Sequence, residues 1–237
     1  VIAAPHVPRV DAGTTTSTWA ALRYFAPLAV TTSMFTLSRP ILFALVAASL
    51  GAGLASETMV AAMSLAFSVG FLFQSMINKA LRQLLATRIA VDPAGCRRFA
   101  VQFTAVLTAI AILGLSGPGA HFLLTRIMGA EGEVLRLAAE AAPILALAPL
   151  AIAWRNWYHG MAMAHRRTGS MAYGSLWRNG CVVVCALACS GLGILDHRTG
   201  AAIMVLAFAA EAVGTIVASR RWRTDLAGSA HGRLGEA

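Results

Sequence analysis

Six apolar stretches recur along this chain, each near the roughly 20 residues that carry an α-helix across about 30 Å of hydrocarbon. They cover residues 22–50, 57–78, 99–117, 137–160, 171–195 and 200–219. Of the 237 residues, 58% are apolar and 12% charged, and the mean hydropathy is +0.70. A soluble domain is about half apolar and about a quarter charged, so this chain has too little polar surface to coat a water-exposed globule. The pattern predicts an all-α, polytopic membrane protein: one bundle of six transmembrane helices over residues 20–222. A polar, Thr-rich tail precedes it over 1–19, without the basic, apolar and small-residue succession of a secretory signal. A basic tail follows over 223–237. The composition excludes a soluble enzyme, a disordered chain and a secreted disulfide scaffold.

Breaks inside the stretches come from proline and charge. Pro27, Arg39 and Pro40 interrupt the first, while Pro143 and Pro149 lie in the fourth. Gly117-Pro118-Gly119 closes the third. Residues 120–130 are too short to span and read as an amphipathic helix at the interface. Short loops predict that consecutive spans pack as antiparallel neighbours.

Charge then sets orientation. Net charge is +9, and arginine supplies all but one of the 19 basic residues, the exception being Lys79. A basic soluble domain would point to nucleic acid, but these charges sit between apolar blocks, so no nucleic-acid partner is expected. Counting alternate connections, thirteen bases fall on one side, among them Lys79, Arg82, Arg166, Arg167 and Arg220. The other side holds Arg126, Arg136 and Arg198. Positive-inside bias therefore predicts both termini in the cytoplasm. The Arg- and Ala-rich composition fits a GC-rich bacterial genome, and hence a bacterial inner membrane.

Three arginines remain, Arg39, Arg155 and Arg178, inside or at the edge of spans, and Glu211 lies near the middle of the sixth. A central arginine costs about 2.5–3.5 kcal/mol on insertion scales and usually faces a cavity or a partner. Arg39 precedes Pro40, so a broken helix lining a cavity is expected there; the alternative is a structural pair with Glu211. Arg155 and His159, with Asn156 between them, share a helix face within Trp154-Arg155-Asn156-Trp157-Tyr158-His159. Arg155 and Arg178 either face a cavity or snorkel to headgroups. Gln74 and Asn78 read as interhelical hydrogen-bonding residues.

Other chemistry is missing. No His lies in the sixth span to serve a serine nucleophile, and HExxH, paired carboxylates and phosphate-cradling glycine loops are absent. No enzyme activity, cofactor or metal is expected. Cys181, Cys185 and Cys189, at i, i+4 and i+8, read as small buried packing residues on one helix face.

The chain resembles the multidrug/oligosaccharidyl-lipid/polysaccharide flippase superfamily, which includes the MATE exporters. Within it, the chain is most similar to the C-terminal half of the progressive ankylosis (ANK) transporter proteins. Pro27-Leu28-Ala29 and Ser38-Arg39-Pro40-Ile41 carry the likeness in the first span. Arg155, Gly160 and Arg166-Arg167-Thr168 carry it in the fourth, with Leu176, Arg178 and Val213-Gly214 beyond. Where the family has an acidic residue after Val-Gly, this chain has Thr215, and Glu211 lies one turn earlier on the same face. The resemblance implies half of a twelve-helix, alternating-access fold, completed by a second copy of the chain or by another six-helix half. It also implies export or flipping of a small anionic solute. The substrate-contacting residues expected are Arg39, Arg155, Asn156, His159, Arg178 and Glu211. The alternative reading is a non-transporting membrane scaffold, or an inactive half of a split transporter.

Overall fold

The computed structural model describes residues 18–51, 53–89 and 91–234, and among these it is all-helical. The helices are α1 (Thr18–Leu50), α2 (Leu54–Arg88), α3 (Pro93–Leu115), α4 (Gly117–Phe122), α5 (Gly132–Leu145), α6 (Ala148–Ala164), α7 (Gly169–Gly191) and α8 (His197–Leu234). A π-helical turn, Leu123–Ile127, continues α4. The N-terminal tail predicted over 1–19 lies, up to residue 17, outside the described residues. At the other end, the α8 backbone continues to Leu234, into the segment predicted as a tail, whose last three residues lie outside the described ones.

Among the described residues, four helices are long and apolar enough to cross a membrane: Ala21–Leu50, Leu54–Arg88, Pro93–Leu115 and His197–Arg220. α5 and α6 together make a fifth, bent by 44° at their junction. The fourth stretch, expected as one span, is therefore two helices. Pro149 has no N–H to continue the hydrogen-bond ladder, and it sits in the first turn of α6, where that loss is tolerated. α7 is long enough at 23 residues but is not among the candidate spans. Its N-terminal half carries Ser170, Ser175 and Arg178, all turned inward and buried. Outward faces are apolar instead: Leu113 is 76% exposed and Val184 67%. Long apolar helices with such surfaces are compatible with a membrane-embedded protein.

The break predicted in the first span is absent. α1 runs continuously through Pro27 and Pro40. Each proline removes one backbone donor, and the ladder resumes on either side. Thr31, Thr32 and Thr36 meanwhile donate their hydroxyls back to carbonyls four residues earlier.

Sequence neighbours are not always spatial ones. α1 packs chiefly on α7 and only lightly on α2, and α6 barely touches α7. The expectation of antiparallel neighbours fails at those two connections, because the polar partners of α1 lie on α7. Thr168 donates to the Tyr24 carbonyl at 2.9 Å, Asn179 to the Met34 carbonyl at 3.2 Å, and Ser38 to Asn179 Oδ1 at 2.6 Å. The result is two groups, α1–α7–α8 and α2–α3–α5–α6, joined where α6 packs on α8. Between α1 and α2 a cleft stays open.

A buried ion cluster at the floor of a cleft

Close backbone approach brings the floor together. A Cβ on Gly174 of α7 would collide with Thr215 Oγ1 and the Glu211 carbonyl of α8. A Cβ on Gly160 of α6 would collide with Leu85 of α2. Only glycine allows helices to approach this closely, and the approach puts side chains of α2, α6, α7 and α8 within bonding reach.

Glu211 is the centre. Arg178 Nη1 donates to its Oε2 at 2.7 Å and Arg155 Nη1 to the same oxygen at 3.0 Å. Ser175 Oγ donates to Oε1 at 3.0 Å. All four residues are fully buried. Arg155 Nη2 reaches Asn78 Oδ1 on α2 and, at 3.2 Å, Asn156 Oδ1. Arg178 Nε donates to Ser38 Oγ of α1 at 2.8 Å. His159 Nε2 lies 3.8 Å from Glu211 Oε1 and 3.4 Å from Thr215 Oγ1. Thr215 Oγ1 donates to the Glu211 carbonyl at 2.9 Å.

Aromatic rings roof this cluster. The Arg178 guanidinium lies 5.0 Å from the Phe35 ring centre, and that of Arg155 lies 5.6 Å from Phe35 and 5.5 Å from Phe208. A delocalised cation over a ring face retains favourable electrostatics without water.

Arg155 and Arg178 thus face the interior and do not snorkel. Arg39 does neither thing expected of it: it does not pair with Glu211, and it does not line the cleft. Its guanidinium sits 4.8 Å from the Phe71 ring centre and 5.8 Å from Phe67. One residue is about 100° of helix, so while Ser38 faces α7, Arg39 is turned toward the i, i+4 pair Phe67 and Phe71 on α2.

The cleft above the cluster has a volume of about 540 Å³. Phe35 and Phe71 wall it, Arg155, Arg178 and Glu211 form its floor, and Asn78, Lys79 and Arg82 line the α2 side. Four cations therefore face one carboxylate. A larger, open vestibule of about 1390 Å³ adjoins it at Ala86 and Met163, beside Arg23, Arg166 and Arg167. Among the described residues, several buried donors lack a hydrogen-bond partner: Arg178 Nη2, Arg155 Nε, Arg82 Nε and, if protonated, His159 Nδ1.

Lys79 and Arg82, counted with the second connection, belong to α2, whose helical pattern runs on to Arg88. Ser75, Asn78 and Arg82, at i, i+3 and i+7, form one face, which was the available signal for the α2 side of the site. Cys181, Cys185 and Cys189 are half-buried rather than buried, because Val182 and Ala186 hold the inward line of α7. No protein-family model, curated protein or solved structure matches the chain.

Proposed function

We propose that the chain forms one six-helix bundle of an alternating-access membrane transporter for a small anionic solute. The solute binds in the cleft between α1 and α2, against Arg155 and Arg178, with Arg82 and Lys79 drawing it in. In this reading the bent α5–α6 pair counts as one span and α7 as another, both termini face the cytoplasm, and the MATE-like, ANK-like resemblance supplies the architecture. A second copy, or another six-helix half, completes the pathway, since a parallel repeat can be replaced by two copies about one axis.

The observation that carries this reading is the charge of the cleft. Four cationic side chains and one carboxylate line it, and buried N–H groups of Arg178 and Arg82 are unpartnered. Unpaired buried donors are costly, and an anion would satisfy them. Low-dielectric walls also focus a positive field on such a ligand.

The test is exchange of radiolabelled sulfate across proteoliposomes. The wild type exchanges it; Arg178→Gln, at equal insertion and assembly, does not. Exchange no faster than in protein-free vesicles would contradict the proposal.

One feature favours a second reading. The Glu211 cluster ties α6, α7 and α8 together, with α2 joined through Asn78 and α1 through Ser38. A non-transporting scaffold needs such a lock. Under that reading Arg178→Gln lowers the melting temperature, and the wild type shows no sulfate exchange.

A further inference from the structure

Glu211 occupies the arginines that an anion would need. Its Oε2 accepts from both Arg155 and Arg178, so each guanidinium already spends its best-placed N–H on an internal carboxylate. Arg178 Nη2, the unpartnered nitrogen of the same fork, is itself buried at the cleft floor, so an anion reaches the fork only by parting the groups around it. To bind both arginines it must displace Glu211.

We propose that the site takes a second ligand, a proton, which Glu211 binds when an anion replaces it on Arg155 and Arg178. The inference rests on the anion-transport reading above. A displaced carboxylate at the floor of an anion-filled cleft gains little water in exchange, since the residue is fully buried. Left ionised beside an incoming anion, it would be a desolvated charge next to a like charge, and such a group neutralises instead. The proton comes from solvent and forms the O–H bond of the Glu211 carboxylic acid. No other bond is made or broken, and the anion's negative charge takes over the role of the carboxylate's.

The surroundings of Glu211 suit this exchange. The charged or titratable groups around it are Arg155 and His159 from α6, Arg178 from α7 and, at longer range, Arg82 and the cleft-lining Lys79 from α2. α1 presents Phe35 and Ser38 to the cluster, neither of them charged or titratable. Ser175 Oγ, 3.0 Å from Oε1, can accept a hydrogen bond from the protonated acid as readily as it donates to the carboxylate. Anion and proton enter together, so a transmembrane pH gradient would drive the solute.

The experiment is calorimetric titration of purified protein in detergent with sulfate, whose charge is fixed near neutral pH. Titrations in two buffers of different ionisation enthalpy count the protons taken up. Binding with uptake of about one proton per sulfate, and affinity rising roughly tenfold per pH unit of acidification, is expected from linkage. Glu211→Gln is expected to bind sulfate more tightly, with no proton uptake and no pH dependence. Sulfate binding by the wild type without proton uptake overturns this inference and leaves the anion site standing. Uptake that persists in Glu211→Gln and disappears in His159→Gln overturns the assignment to Glu211. If the wild type binds no sulfate, both readings fall. Should Glu211→Gln not fold, His159→Gln decides: uptake that persists in it supports Glu211, and uptake lost in it overturns the assignment.

Discussion

Arg178 Nη1 and Glu211 Oε2 lie 2.7 Å apart across the α7–α8 interface, each residue wholly removed from solvent. Together with Arg155 they make a triad in which one carboxylate serves two guanidinium groups. Removing the acid is therefore worse than removing either base. Glu211→Ala leaves two buried cations unbalanced and is expected to cost about 3–5 kcal/mol. Arg178→Met leaves Arg155 in place to hold the carboxylate and is expected to cost less. Thermal melts in detergent check the order, with Glu211→Ala melting lower.

Gly174 permits that interface. A methyl group there meets Thr215 Oγ1 and the Glu211 backbone carbonyl, and a backbone atom cannot rotate away. Gly174→Ala is expected to destabilise by about 1–3 kcal/mol, as overpacking does. Adding Thr215→Ala removes the hydroxyl but not the carbonyl, so it restores only part of the melting temperature.

Arg39 and Arg178 looked equivalent as intramembrane cations, and the fold separates them. Arg39→Gln loses a stacking contact with Phe71 and leaves the cleft lining intact. Sulfate affinity measured by calorimetry is expected to change little for Arg39→Gln and to fall at least tenfold for Arg178→Gln, which corresponds to about 1.4 kcal/mol.

These outcomes bear on what the chain alone made legible. The apolar stretches gave the helices, since hydrophobic length is written directly in sequence. Arg155, His159, Arg178 and Glu211 stood out because a charge at hydrocarbon depth is expensive. What pattern could not supply was rotation. Ser38 and Arg39 are adjacent, yet one faces α7 and the other α2, and only tertiary packing decides between them. Pro40 looked like a break and is not one, whereas Pro143 and Pro149 flank a real bend. A proline's local cost is fixed, but whether the chain turns depends on what packs beyond it. Arg82 counted with the second connection because charge ends the apolar run, while the helix itself continues for six more residues to Arg88.

Gln83 lies at the mouth of the cleft and is exposed. With the four native cysteines replaced, Gln83→Cys is expected to react with a membrane-impermeant maleimide applied from the side bearing Arg166 and Arg167. Saturating sulfate is expected to slow that reaction. Labelling only from the opposite side would reverse the proposed orientation.

The most direct test is the anomalous diffraction of selenate, an isosteric stand-in for sulfate, soaked into crystals of the protein. The account predicts a selenium peak in the cleft, with an oxygen within hydrogen-bond distance of Arg178 Nη2 and the Glu211 carboxylate moved off that guanidinium. A peak confined to the vestibule beside Arg166 and Arg167, with Glu211 still bound to both arginines, would contradict it.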